Sequence, residues 1–259
     1  MKKTKIIATI EARVGSSRLP NKVLKKIGKK SILEIIIDRL KKSKLIDQIV
    51  IATTKNVEDD RICYLAKSKK ISYYRGSEFD VLDRISNAIS NYKGDLIVQL
   101  TGDNPLIDYS LIDKMLKYFK NNKIDFLTNN GFGDENLRTY PIGTDIKIFK
   151  GKDILKINNL KLNKTYREHP SLFFYKNKKF KYKIKNINIP FILKRDYKLR
   201  ITVDTLEDFK LVKLLYLELS KKNAYFSLKH IIEYVDNNLK LLQINSNIRQ
   251  KKVPLKLNY

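Results

Sequence analysis

Ile6-Ile7-Ala8-Thr9-Ile10 runs directly into Glu11-Ala12-Arg13-Val14-Gly15-Ser16-Ser17-Arg18-Leu19-Pro20-Asn21-Lys22. A short apolar-leaning run that ends in a polar, glycine-bearing loop reads as a strand buried on both faces. The pattern recurs at 48–52 (Gln-Ile-Val-Ile-Ala), 71–74 (Ile-Ser-Tyr-Tyr) and 96–100 (Leu-Ile-Val-Gln-Leu). Between these runs the apolar period is helical. Ile32, Leu33, Ile36, Ile37 and Leu40 follow Ser31, with Glu34 placed to close a capping box. Val81, Leu82, Ile85, Ala88 and Ile89 follow Asp80, and Leu111, Ile112, Met115, Leu116 and Phe119 form a third face. Strands alternating with helices predict an α/β fold with a mostly parallel central sheet flanked by helices.

The second half is less regular. An Asn/Gly/Asp-rich stretch at 129–136 predicts a mobile loop. Lys179-Phe180-Lys181-Tyr182-Lys183-Ile184-Lys185 alternates strictly. It predicts an exposed antiparallel or edge strand with Phe180, Tyr182 and Ile184 inward and the lysines in water. Leu206, Phe209, Val212, Leu215, Tyr216 and Leu219, then Leu228, Ile231, Ile232 and Val235, predict two closing amphipathic helices, with His230 partly buried in the second. No repeat or hinge divides the chain. The expectation is a single domain over 1–245 and a tail over 246–259. A small β-rich lobe inserted at about 130–190 would cover the site or serve a homodimer interface.

The chain has 259 residues, 54 Lys+Arg against 27 Asp+Glu, a formal charge of +27 and 42% hydrophobic residues, which excludes a disordered chain. A lone cysteine, Cys63, excludes an intrachain disulfide and a cysteine zinc cluster, and suits a reducing, cytoplasmic compartment. The apolar run after Met1 is too short for a signal h-region or a membrane span. The charge invites a nucleic-acid partner. However, 43 of the basic residues are Lys and 11 are Arg, and Lys, Ile, Asn, Tyr and Phe make up 124 positions, a bias of A/T-rich codons. Residues 1–130 carry a net +11 and 131–259 a net +16, so the charge is diffuse. No RNP, zinc-finger or helix-turn-helix pattern accompanies it, and a solvated lysine surface is the expected reading, with no nucleic acid and no membrane partner.

The loop after the first strand concentrates chemistry. In open α/β folds, ligands bind at the carboxyl edge of the parallel strands. There Gly15 allows close backbone approach, Ser16 and Ser17 offer donors, and Arg13, Arg18 and Lys22 suit a polyanion. Neither a P-loop nor a dinucleotide fingerprint is present. On chemistry alone, a polyanion site and a plain basic surface loop both stay open.

The stretch Glu-Ala-Arg-Val-Gly-Ser-Ser-Arg-Leu-Pro-Asn-Lys-Val-Leu resembles the nucleotide-binding loop of sugar cytidylyltransferases. The closest resemblance is to the SpsF-type, spore-coat polysaccharide branch of the acylneuraminate and Kdo cytidylyltransferase superfamily. Further blocks resemble that branch in the expected order. These are Ala52-Thr53-Thr54 with Glu58-Asp59-Asp60; Arg75-Gly76-Ser77-Glu78 with Asp80-Val81-Leu82-Asp83-Arg84; and Thr101-Gly102-Asp103-Asn104-Pro105-Leu106-Ile107-Asp108. Arg138-Thr139-Tyr140-Pro141, Gly143, Asp145, Arg167-Glu168-His169 and Arg200-Ile201-Thr202-Val203-Asp204-Thr205 continue the series. Together they span residues 6 to about 215.

The resemblance implies a GT-A-like nucleotidyltransferase fold and transfer of CMP from CTP to a sugar, sugar acid or sugar phosphate with release of pyrophosphate. The product would serve surface-glycan synthesis, and Mg²⁺ or Mn²⁺ is the implied cofactor. Arg13, Lys22 and Asp103 would be catalytic. Ala12, Arg13, Gly15, Ser16, Ser17, Arg18, Lys22, Arg75, Ser77, Asp80, Thr101 and Gly102 would bind nucleotide, with Arg84 in the segment that contacts ribose or base. Asp103 and Asp204 would hold the metal, although both positions also suit turn or N-cap aspartates. Arg138, Tyr140, Asp145, Glu168 and His169 would face the acceptor. The chain departs from the branch at Glu11 (usually Gln), Gln99 (usually basic), Lys147 (usually acidic) and Asn21 (usually Gly), so base or acceptor contacts there need not follow it. A GT-A glycosyltransferase would require an Asp-x-Asp metal motif, which neither Asp103-Asn104-Pro105 nor Asp145-Ile146-Lys147 supplies. An RNA- or polyanion-binding protein is the third reading.

Overall fold

The structure, a computed structural model, describes residues 3–177 and 179–250. The expected tail therefore lies outside the described residues from 251 onward, as do the first two residues of the expected non-signal N-terminus. In chain order the elements are β1 (Ile6–Glu11), β2 (Lys26–Ile27), β3 (Lys30–Ser31), α1 (Ile32–Leu40), β4 (Gln48–Thr54), α2 (Asp60–Ser68), β5 (Ser72–Gly76), α3 (Val81–Tyr92), β6 (Leu96–Thr101), α4 (Tyr109–Asn121), β7 (Phe126–Thr128), β8 (Lys147–Lys150), α5 (Gly151–Asn158), α6 (Lys164–Glu168), α7 (Leu172–Lys176), β9 (Ile184–Asn186), α8 (Leu206–Ser220) and α9 (Leu228–Asp236). The main sheet has the order β5-β4-β1-β6-β8-β7-β9. β5, β4, β1 and β6 are mutually parallel, while β8 runs antiparallel to both β6 and β7.

The central strands are buried along their length, as continuous apolar runs covered on both faces must be. One face packs α1, α4, α8 and α9 side chains into a large core. The other packs Ile7, Val50 and Ile97 against Leu82, Ile85, Ala88 and Ile89 of α3 and the aromatic cluster Phe126, Phe149, Phe173 and Phe174. Local signals agree with these boundaries. Ser31 and Glu34 close a capping box on α1, Asp80 caps α3, Asp108 caps α4, and Thr205 with Asp208 boxes α8.

Several expectations change. The stretch 130–190 carries three short helices, α5, α6 and α7, and its strands β8 and β9 belong to the central sheet instead of a β-rich lobe of their own. Of the alternating lysine run, only β9 pairs, at the sheet edge and parallel to β7. Phe180 and Tyr182 instead pack on Phe173 and Phe174 of α7, and of the three side chains expected inward Phe180 and Ile184 are exposed, at 41% and 36%. The 129–136 loop is anchored at its start, where buried Asn129 donates to the Thr144 carbonyl and accepts from the Ile146 amide. His230 is exposed and reaches back to Ser227 at the start of α9, so it caps that helix where burial was expected. No helix among the described residues is long and apolar enough to cross a membrane.

Candidate functional site

The loop 12–22 leaves the carboxyl edge of the sheet and is tied to it from several sides. Asp59, 2% exposed, accepts from the Val14 amide at 2.6 Å and from Thr54. Asn21 adopts φ 57, a left-handed conformation that asparagine tolerates, and its amide returns to the Val14 carbonyl at 3.2 Å. Val14, Leu19 and Val23 are buried, so the loop is pinned by apolar anchors while its polar side chains face outward. The Gly102 amide donates to the Glu11 carbonyl at 2.8 Å, and a Cβ at 102 would lie 3.0 Å from Ala12 Cβ, so only glycine allows β6's exit to lie this close.

The cleft above this edge has a volume of about 630 Å³. Its walls are Glu11–Arg13, Gly15–Arg18, Lys22 and Val23 of the loop, Glu78, Phe79, Val81 and Arg84 around the start of α3, Thr101–Asp103, Asp204, and Lys164, Glu168 and His169 of the α6 region. At its centre Lys22 Nζ bridges Asp103 Oδ2 at 2.7 Å and Asp204 Oδ1 at 2.9 Å. Arg18 reaches Asp204 Oδ1 at 3.0 Å, and Arg200 reaches Asp204 Oδ2 at 2.8 Å and Asp208 at 2.9 Å. Thr101 Oγ1 donates to Asp103 Oδ1 at 2.6 Å. Burial pushes the Lys22 ammonium toward its neutral form, but Asp103 and Asp204 outweigh it and raise its pKa. Burial likewise works against the Asp204 carboxylate, yet Lys22, Arg18 and Arg200 hold its pKa below the ordinary range. The cap at the start of α8 falls to Thr205, which leaves Asp204 facing the cleft.

Two carboxylates from distant segments thus converge on one cation, with the lysine ammonium as the resident ion. Among the described residues no group of three or more His, Cys, Asp or Glu assembles for a metal. A two-oxygen donor set suits Mg²⁺, which commonly takes one or two protein carboxylates and completes its shell with water and substrate phosphates.

Arg13, Arg18, Lys22, Asp103 and Asp204 therefore come together, with Ala12, Gly15, Ser16, Ser17, Thr101 and Gly102 around them and Glu168 and His169 opposite. Other expected site residues lie elsewhere. Arg75 spends all three of its nitrogens on the Thr54 carbonyl, Asp60 and the Asn56 carbonyl, outside the cleft. The Ser77 hydroxyl accepts from the Phe79 and Asp80 amides, shaping the loop before α3. Asp80 caps α3 and pairs with Arg167 at 2.7 Å. Arg138 forms a two-pronged pair with Asp145 at 2.5 and 3.0 Å. Arg138 and Tyr140 line a separate hollow of about 270 Å³ that shares no residue with the cleft. Glu78 and Phe79 line the cleft without having been expected there, and Glu78 holds Arg13 at 2.9 Å. The i, i+4 spacing of Arg200, Asp204 and Asp208 was the available signal for the buried Arg200 network, but that spacing is common on any helix start.

Comparison with known proteins agrees with this geometry. The chain is 41% identical over 249 residues to the uncharacterized protein MJ1063 of Methanocaldococcus jannaschii, covering 95% of this chain and 97% of that one. It is 31% identical over 216 residues to the spore coat polysaccharide biosynthesis protein SpsF of Bacillus subtilis, covering 82% and 86%. The solved structure of a cytidylyltransferase from Leptospira borgpetersenii superposes with a TM-score of 0.84 at 33% identity, covering 96% of this chain and 100% of that one. Residues 7–252 match the cytidylyltransferase family model, so both the cation-bridged carboxylates and the basic loop fall within the matched region. The chain belongs to the cytidylyltransferase family.

Proposed function

We propose that this chain moves CMP from CTP onto an oxygen of a sugar, sugar acid or sugar phosphate, for surface-glycan synthesis. The observation that carries the reading is the convergence of Asp103 and Asp204 on Lys22 at the inner end of a cleft whose loop presents Arg13, Ser16, Ser17 and Arg18. The acceptor oxygen attacks the α-phosphorus as the bond to the bridging oxygen of pyrophosphate breaks. Negative charge grows on that bridging oxygen. Preorganised cations aimed at it lower the barrier more than they stabilise the bound substrate.

In this reading Arg13 and Arg18 leave Glu78 and Asp204 to take the β- and γ-phosphates, and the Gly15–Ser17 backbone and hydroxyls complete the cradle. Lys22 turns to the α/β bridge. Asp103 and Asp204 would hold a divalent cation, whose charge on the phosphate oxygens is the chemistry it supplies. Glu168 and His169, with Lys164, orient the acceptor from the α6 side, which supports a covering role for the segment around 130–190.

The test is pyrophosphate release with CTP and Mg²⁺ across a panel of 2-keto-3-deoxy sugar acids and sugar phosphates. Lys22→Ala and Asp103→Ala should fold and lose turnover. Silence across the panel with all four nucleotides would sink the proposal, and retained activity in either variant would remove that residue from the site.

A further inference from the structure

The two carboxylates at the inner end of the cleft share one arrangement: each has one oxygen tied back into the protein and the other aimed at Lys22. Asp103 Oδ1 accepts from Thr101 Oγ1 at 2.6 Å, while Asp103 Oδ2 meets Lys22 Nζ at 2.7 Å. Asp204 Oδ2 accepts from Arg200 Nη2 at 2.8 Å, while Asp204 Oδ1 meets Lys22 Nζ at 2.9 Å. Both tethers are themselves held. Asn104 Nδ2 donates to Thr101 Oγ1 at 3.0 Å, which leaves the hydroxyl's own hydrogen to Asp103. Arg200, 6% exposed, donates to Asp208 through Nε and Nη2 and to Gln250 Oε1 through Nη1, so all three of its nitrogens are engaged.

Asp208 is fully buried and also accepts from the Asp204 and Thr205 amides and from Asn245 Nδ2. Asn245 and Gln250 come from the C-terminal segment, outside the cleft lining, and brace Arg200 from behind. The cations on the cleft side are of a different kind. Arg18, with a side chain 42% exposed, holds Asp204 by one contact, and Lys22 is a point charge on a flexible stem, so both can turn to a phosphate. Arg200 cannot leave without unpairing a buried carboxylate. When the loop cations move to a triphosphate, Asp103 Oδ1 and Asp204 Oδ2 stay occupied, and each carboxylate has one oxygen to give.

We infer that Arg200 and Thr101 are positioning residues that hold Asp204 and Asp103 to one oxygen each, and thereby make the pair select Mg²⁺ over Ca²⁺. This rests on the proposed reading of the two aspartates as cation ligands. Mg²⁺ demands near-ideal octahedral geometry at about 2.0–2.1 Å, and the two oxygens of one carboxylate lie too close together to span an edge of that octahedron. Ca²⁺ takes about 6–8 oxygens at about 2.3–2.6 Å in flexible geometry and gains from carboxylates that offer both oxygens. Tied-back carboxylates suit the first ion and deny the second its extra ligands.

The test is calorimetric titration of CTP, without acceptor, into the full chain and its Arg200→Lys and Thr101→Val variants, in EDTA, Mg²⁺ and Ca²⁺ buffers of equal ionic strength. Lysine keeps a positive charge beside Asp208 but lacks the fork that spans both aspartates, and valine keeps the shape of threonine without its hydroxyl. The wild type should bind CTP about tenfold tighter with Mg²⁺ than with Ca²⁺. Each folded variant should bring the two affinities within about threefold of one another, because the freed oxygen serves Ca²⁺. A purely structural role would weaken both arms alike, so an unchanged ratio in a folded variant overturns the role of that residue. A wild type that binds CTP equally with the two cations overturns the inference without recourse to a variant. Equal affinity in EDTA and in Mg²⁺ overturns the cation-ligand reading itself.

Discussion

Lys22→Met should destabilise the ligand-free protein and make it respond to divalent cation. The Lys22 side chain is 15% exposed, against 23% for that of Asp103 and 9% for that of Asp204. Removing one partner of a fully buried pair costs about 3–5 kcal/mol, and of an exposed pair about 0–1 kcal/mol. Here Asp204 keeps Arg18 and Arg200, whereas Asp103 loses its only cationic partner among the described residues but stays partly hydrated. An intermediate loss of roughly 2 kcal/mol follows, and methionine preserves the apolar stem, so packing should change little. For a chain near this size that loss is about 4–8 °C in Tm. In the wild type, a divalent cation entering between the carboxylates must displace an ammonium already seated there. In the variant it fills a bare pair, and binding at about a hundredfold above its dissociation constant would return roughly 2.7 kcal/mol. The assay is thermal unfolding of both proteins without nucleotide, over a Mg²⁺ series at constant ionic strength. Equal melting temperatures without Mg²⁺, or equal Mg²⁺ stabilisation of both, would refute the idea that lysine and metal share one position.

The same pair sets a pH window. Asp204's folded pKa is depressed, so its contribution is complete above the unfolded value near 3.9 and is lost as pH falls through the lower folded value. Lys22's is raised, so its contribution is complete below about 10.4 and is lost as pH climbs through the higher folded value. Lys22→Met should therefore move the acid limb of a denaturation–pH profile upward and abolish the Lys22 share of the alkaline limb. Gly143→Ala should cost about 2–4 kcal/mol in urea unfolding. Position 143 has φ +103, and a Cβ there would lie 2.3 Å from the Thr202 amide, on the segment that carries Arg200 and Asp204. Arg75→Ala should cost about 1–2 kcal/mol in the same assay and leave CTP affinity intact; a tenfold loss of affinity would return Arg75 to the nucleotide site.

Strand and helix order was legible because the central strands are apolar throughout and α1 and α3 follow Ser31 and Asp80 caps, signals that depend only on neighbours within four residues; at α8 the cap is Thr205, one residue beyond the Asp204 that the sequence offered. The region 151–176 was not, because α6 and α7 are five residues each, too short for a period to show, and α7 is seated by Phe174 on Phe126 and Phe149 of distant strands. The alternating 179–185 run misled because a period-two pattern says nothing of what lies alongside: Phe180 and Tyr182 met the aromatic rings of α7 rather than a partner strand, and Phe180 and Ile184 stayed exposed.

The sequence by itself determined the α/β class, the basic loop after β1, and which residue types that loop brings to the sheet edge. Only the tertiary structure decided which charges meet. Asp103 and Asp204 lie far apart along the chain and become neighbours because the Val203 amide bonds to the Asp103 carbonyl at 2.8 Å, bringing both carboxylates to Lys22. Arg75, inside β5, and Arg84, in the first turn of α3, fall in one block of the resemblance. Burial and partners separate them: Arg75 is consumed by carbonyls and Asp60, and Arg84 is buried in the cleft wall. Local patterns set by propensity and periodicity can be read along a chain, whereas electrostatic pairing depends on distances that exist only after the sheet has brought its strand ends together.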